Sequence, residues 1–194
     1  MRLHCLNGDI VDLAPKHCEM TVLWLRDGYN RRFQTWRALR TKYPVMTALA
    51  RASDTDKPWQ NTKGVTFELA MPDKLLRYIH VLPNPTDRHG CPDLRTVGAM
   101  IGSALGVANG LEVRKVGFIH VPAYPSGRRP AQTASREEKD RMSAGAMIGA
   151  LGEWDASHHE KVTDVYLFDL DGCFKPFLWG AGEPPRKPRP PLPK

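Results

Sequence analysis

The segment Pro122-Ala123-Tyr124-Pro125-Ser126-Gly127-Arg128-Arg129 brings a glycine, a hydroxyl and two guanidinium groups into one short stretch behind an apolar run. That mixture suits phosphate, because backbone N–H groups exposed at a glycine and the forked donors of arginine both match phosphate oxygens. A second chemical cluster lies in 26–42, where Arg31, Arg32, Arg37 and Arg40 are interleaved with Tyr29, Phe33 and Trp36. Arginines and aromatics together serve single-stranded nucleic acid, and the basic face suits an acidic protein equally. Phe33, Trp36, Leu39, Tyr43 and Met46 also recur at intervals of three or four, the spacing of a helix packed by its aromatics with a solvated basic face. The four cysteines, Cys5, Cys18, Cys91 and Cys173, include no CxxC pair. His4-Cys5, His17-Cys18 and His158-His159 fit no standard zinc spacing, so the expectation is reduced thiols, no metal and no cofactor.

The net charge of +7 is unevenly placed. Segment 26–42 holds six basic residues against Asp27, and segment 181–194 holds four against Glu183, so these two carry +5 and +3 and the remainder sums to −1. A balanced body argues against a protein that coats nucleic acid over its whole surface. Six of the 17 prolines also fall in 181–194. Proline lacks the N–H and fixes φ, so this stretch reads as a flexible, polyproline-II-like tail following one domain over 1–180. Lys187-Pro188-Arg189-Pro190-Pro191-Leu192-Pro193 matches the basic, twice-prolined pattern that SH3 grooves read. The chain carries 41% hydrophobic and 25% charged residues, ordinary values for a globular domain. It has no apolar run long enough to span a bilayer and no apolar secretory leader at Met1, so no membrane partner and a cytoplasmic location are expected.

Positioning these groups requires a scaffold, and the apolar patterning predicts one. Strands are expected over 2–6, 19–25, 65–70, 76–82, 113–121 and 162–170. Helices are expected from Asn30 towards Pro44, over 94–110 with Asn109-Gly110 as C-cap, and from an N-cap at Ser135 to about Trp154. Gly8-Asp9 is expected as a turn. Strands that are near-continuously apolar and alternate with helices belong to a sheet covered on both faces: a three-layer α/β/α sandwich with a mixed central sheet. Such folds bind ligands beyond the carboxyl ends of their strands, which draws attention to the turn after the first strand and the loop after Val121.

The order of motifs resembles the macro domain, the module that binds ADP-ribose and related NAD metabolites. LHCLNGDIVDL resembles the family's opening strand followed by Gly-Asp-Ile, LLRYIHVLPNP its strand ending in a proline, and KVGFIHVPAYPSG its strand running into Pro-Ala and a Ser-Gly loop. MSAGAMIGALGEW and VTDVYLFDLDG resemble the closing helix and strand, so the likeness covers about residues 2–180. The resemblance implies that Asp9 accepts the adenine amino group beside the Ile10 backbone. It implies that Ser126, Gly127 and Arg128 lie along the diphosphate, that Pro122 and Ala123 also belong to the ligand-binding set, and that Phe174 flanks the adenine. Active members carry Asn-Ala-Ala-Asn and a glycine-rich loop after the second strand. Here the chain reads Arg26-Asp27-Gly28-Tyr29-Asn30-Arg31-Arg32, with Asp27 and Asn30 as the remaining catalytic candidates, so hydrolysis is expected to be weak or absent.

Other readings compete. The same fold can act as an interaction module, meeting an acidic protein or nucleic acid through 26–42 and the tail. GFIHVP also resembles the histidine segment of pyroglutamyl peptidases, which would make His120 a base for a Cys91 nucleophile. Phe168-Asp169-Leu170-Asp171-Gly172 resembles the nucleophile motif of haloacid-dehalogenase-type phosphatases, but so few residues follow it that a strand ending in an acidic turn is the simpler expectation.

Overall fold

The computed structural model describes residues 1–25, 41, 64–69, 74–83, 85, 93–121, 135–157, 161–169 and 172–178. Six strands form one sheet: β1 (Arg2–Leu6), β2 (Met20–Leu25), β3 (Val65–Glu68), β4 (Tyr78–Pro83), β5 (Lys115–Ile119) and β6 (Asp164–Phe168). Their spatial order is β1-β6-β5-β2-β4-β3, parallel throughout except for β3, which runs antiparallel on β4 at one edge. The helices are α1 (Ile10–His17), α2 (Leu94–Gly110), α3 (Arg136–Ser157) and the single turn α4 (Lys175–Leu178). This is the expected mixed-sheet α/β sandwich, and it has a core on each face. Val22, Trp24, Val116, Phe118, Val165 and Leu167 face the side covered by α2 and α3. Leu23, Ile79, Val81 and Phe168 face the side covered by α1. Alternate residues of β2, β5 and β6 are therefore buried on opposite faces, which is why those strands read as unbroken apolar runs.

Helix ends follow local chemistry. Asp93 caps α2 by accepting the Thr96 N–H at 3.4 Å and the Thr96 hydroxyl at 2.6 Å. Ser135 Oγ accepts the Glu138 N–H at 3.1 Å, as an N-cap should. At the far end of α2 the expected cap moves. Gly110 is still helical, and the left-handed residue is Glu112 at φ 59°. The Val113 N–H returns to Ala108 O at 2.9 Å and the Glu112 N–H to Asn109 O at 3.1 Å, the paired bonds of a Schellman motif. The turn is fixed by where those two N–H groups must point, so glycine's freedom at 110 goes unused. Gly98, Gly102 and Gly106 instead line one side of α2, and a Cβ on each would lie 3.8–4.0 Å from Ala150 or Trp154 of α3. Gly117 is required by close approach: a Cβ there would stand 2.6 Å from the Phe168 ring and 2.7 Å from Cys18 Sγ.

Two elements depart from expectation, the short turn α4 and the helix α1. The residues after Gly8-Asp9 form α1 rather than a simple turn leading to the next strand. Asp9 is its N-cap, and Ile10, Val11 and Ala14 are its buried face. The basic helix expected from Asn30 lies outside the described residues except for Thr41, which is helical. The proline-rich tail also lies outside them. Among the described residues no helix is long and apolar enough to cross a membrane.

Candidate functional site at the carboxyl edge of the sheet

The connections define a switch point in the sheet. The chain leaving β2 returns through β3 and β4 on one side of it, while the chain leaving β5 returns through α3 to β6 on the other. Neighbouring strands whose connections depart in opposite directions open a crevice beyond their carboxyl ends. β2 and β5 pair from Met20–Val22 to Val116–Phe118, and farther on the Trp24 indole N–H donates to Ile119 O at 2.9 Å. On the other side the Ser143 hydroxyl of α3 donates to Val121 O at 2.9 Å. The exit from β5 is thus held from both flanks just before the Pro122–Arg129 segment begins.

Asp9 stands at the same edge, at the carboxyl end of β1. Its Oδ1 accepts the Val11 N–H at 2.8 Å and its backbone oxygen accepts from Leu13 at 3.1 Å, which locks the first turn of α1. The residue is exposed, and among the described residues its Oδ2 takes no hydrogen bond. Ile10 beside it is buried at 4% exposure.

The segment after β6 is built on Asp169. This carboxylate is buried at 1% exposure and accepts two backbone N–H groups, Cys173 at 2.6 Å and Phe174 at 3.0 Å. Its own N–H donates to Leu6 O at 2.9 Å. Leu170 and Asp171 of the expected acidic turn lie outside the described residues, but Asp169 faces inward and anchors the residues that follow, which removes it as a solvent-accessible phosphatase nucleophile. Beside it, burial first and the Asp169 charge second push the Cys5 thiol up to about 11. Burial pushes the Cys18 thiol higher still. Both therefore stay protonated at neutral pH.

Phe174 differs from its expected role. Its ring is fully buried and meets His120 edge-on at 6.3 Å between centroids, so it has no face open to an adenine. It is held there because its N–H is tied to Asp169. His120, the first residue after β5, stands near Asp140 of α3 and Cys173; one donor atom from each lies within 4.8 Å of the others. Cys91, the thiol that the peptidase reading pairs with His120, lies outside the described residues. So do Asp27, Asn30, Arg31, Arg32, Arg37, Arg40, Pro122, Ala123, Ser126, Gly127 and Arg128. Sequence reasoning missed Asp140 and Cys173 because neither belongs to a motif.

A mixed-sheet α/β sandwich of this strand order has the macro-domain fold. The ganglioside induced differentiation associated protein 2 macro domain superposes with a TM-score of 0.65 at 13% identity, over 91% of this chain and 82% of that one. The macrodomain of Thermus aquaticus DarG gives 0.59 at 16% identity, covering 86% and 97%. A macrodomain variant from Oceanobacillus iheyensis solved with ADPR gives 0.61 at 13% identity, covering 89% and 88%. No known family profile matches the sequence, and no curated protein does. The likeness is thus carried by the fold, at identities where side chains have diverged almost everywhere.

Proposed function

We propose that this chain binds ADP-ribose or a related NAD-derived nucleotide beyond the carboxyl ends of β1, β5 and β6, with hydrolysis weak or absent. The observation that carries the reading is Asp9: an exposed aspartate fixed by its own helix cap, whose second carboxylate oxygen takes no hydrogen bond among the described residues. In this reading that oxygen accepts the adenine amino group beside the Ile10 backbone, while Pro122 and Ala123 lead the chain past the ligand. Ser126, Gly127 and Arg128 take the diphosphate, whose charge suits a backbone turn and a guanidinium fork. The Oceanobacillus neighbour solved with ADPR supports the ligand class. Arg26-Asp27-Gly28-Tyr29-Asn30 supports weak hydrolysis, because it supplies no glycine run to wrap a distal ribose.

Calorimetric titration of the full chain with ADP-ribose tests this. Asp9→Ser is the informative variant, since serine keeps the helix cap but is too short to reach the ligand. Wild type should bind, and Asp9→Ser should bind at least about tenfold more weakly, equivalent to about 1.4 kcal/mol, with its melting temperature retained. No heat and no thermal stabilisation with wild type at millimolar ligand would overturn the proposal. Release of ADP-ribose from a modified protein should stay near background.

A further inference from the structure

His120, Asp140 and Cys173 come from three separate segments: the exit of β5, the opening of α3 and the turn after β6. All are largely buried; the His120 side chain is 12% exposed, the Asp140 side chain 6% and Cys173 6%. His120 makes no hydrogen bond among the described residues. Its Nδ1 is inaccessible and unpartnered, and its Nε2 lies 3.8 Å from Asp140 Oδ1, too far for a direct bond. An inaccessible imidazole nitrogen with no hydrogen-bond partner is uncommon and calls for an explanation. Here it stands beside a carboxylate and a thiol, and the three donor atoms lie within 4.8 Å of one another.

We propose that His120, Asp140 and Cys173 form a binding site for a divalent zinc-class cation. The donor set is one imidazole nitrogen, one carboxylate oxygen and one sulfur, which favours zinc-like ions over calcium or magnesium, whose ligands are oxygens. A neutral imidazole, a carboxylate and a thiolate together carry −2, the charge that suits a divalent ion. Binding would release the thiol proton to solvent, and three protein ligands would leave a fourth position for water or an incoming ligand. Asp169 fixes the geometry on one side through the Cys173 N–H, and Ser143, on the helix that carries Asp140, fixes the backbone beside His120 on the other. The ion would tie the ends of β5 and β6 to α3 at the carboxyl edge of the sheet.

Titration of the reduced full chain with Co2+ alone, followed by Zn2+, tests the site. One equivalent of cobalt should give a near-ultraviolet thiolate charge-transfer band and the visible bands of a tetrahedral ion, and zinc should displace both. Cys173→Ser should abolish the charge-transfer band, His120→Gln should weaken cobalt binding at least about tenfold, and Cys5→Ser should change neither. Absence of the band in wild type, or its persistence in Cys173→Ser, would overturn the proposal. If Cys173→Ser does not fold, His120→Gln decides: unchanged cobalt affinity in that variant overturns the site. These spectra are independent of ADP-ribose, so the nucleotide reading can fail without affecting them.

Discussion

Replacing Asp169 with alanine tests how the segment after β6 is held. The carboxylate accepts two backbone N–H groups at 2.6 and 3.0 Å in a position only 1% exposed. Hydrogen bonds to a charged group contribute about 1.5–3 kcal/mol each. Their loss leaves the Cys173 and Phe174 N–H groups buried and unpaired, while removing the carboxylate recovers part of its own desolvation cost. The net expectation is a loss of about 3 kcal/mol for Asp169→Ala. Asp169→Asn should lose roughly half as much, because its amide oxygen can accept one N–H while its NH2 opposes the other. Urea unfolding followed by circular dichroism gives both values. The same variants should weaken the cobalt spectrum, since Cys173 hangs from this anchor. A destabilisation below about 1 kcal/mol for alanine, or asparagine costing more than alanine, would refute the reasoning.

Two further expectations concern stability. The Thr21 hydroxyl is buried at 1% exposure and has no hydrogen-bond partner among the described residues, so Thr21→Val, nearly the same shape, should raise the urea midpoint by the equivalent of about 1 kcal/mol. Asp164 is 4% exposed; burial pushes its carboxyl up, but His4 at 2.8 Å, the Arg2 fork at 2.9 and 3.0 Å and the Thr163 hydroxyl at 2.8 Å more than offset this and hold it down at about 2. Against an ordinary value of about 3.9 in the unfolded chain, this group stabilises the fold above that value and loses its contribution as pH falls through the folded one. Wild type should therefore shed on the order of 2 kcal/mol between about pH 5 and pH 2 relative to Asp164→Asn, measured by urea unfolding at several pH values. Parallel acid profiles for the two proteins would count against that carboxylate as the cause.

Much of the architecture can be read from the chain. Apolar runs in β2, β5 and β6 predict strands covered on both faces, and Asp93 and Ser135 mark helix starts because their side chains satisfy N–H groups that no helix can satisfy itself. Asp9 is also legible as a candidate binding residue. By contrast, α1 is eight residues long and contains Pro15, so propensity could not announce it. It forms because Ile10, Val11 and Ala14 have a sheet to pack against.

The switch point at the carboxyl edge depends on β5 and β2 being neighbours, which follows from how six strands share one sheet and not from any local pattern. Asp169 looked like part of a surface turn, and only the fold turned it inward to gather two backbone N–H groups. His120, Asp140 and Cys173 are separated by 20 and 33 residues, so no spacing rule could join them. Composition and periodicity determined the layers of this protein and the ends of several helices, because those depend on neighbours in sequence. Strand order and packing decided which charged, thiol and imidazole groups meet, because such meetings depend on neighbours in space.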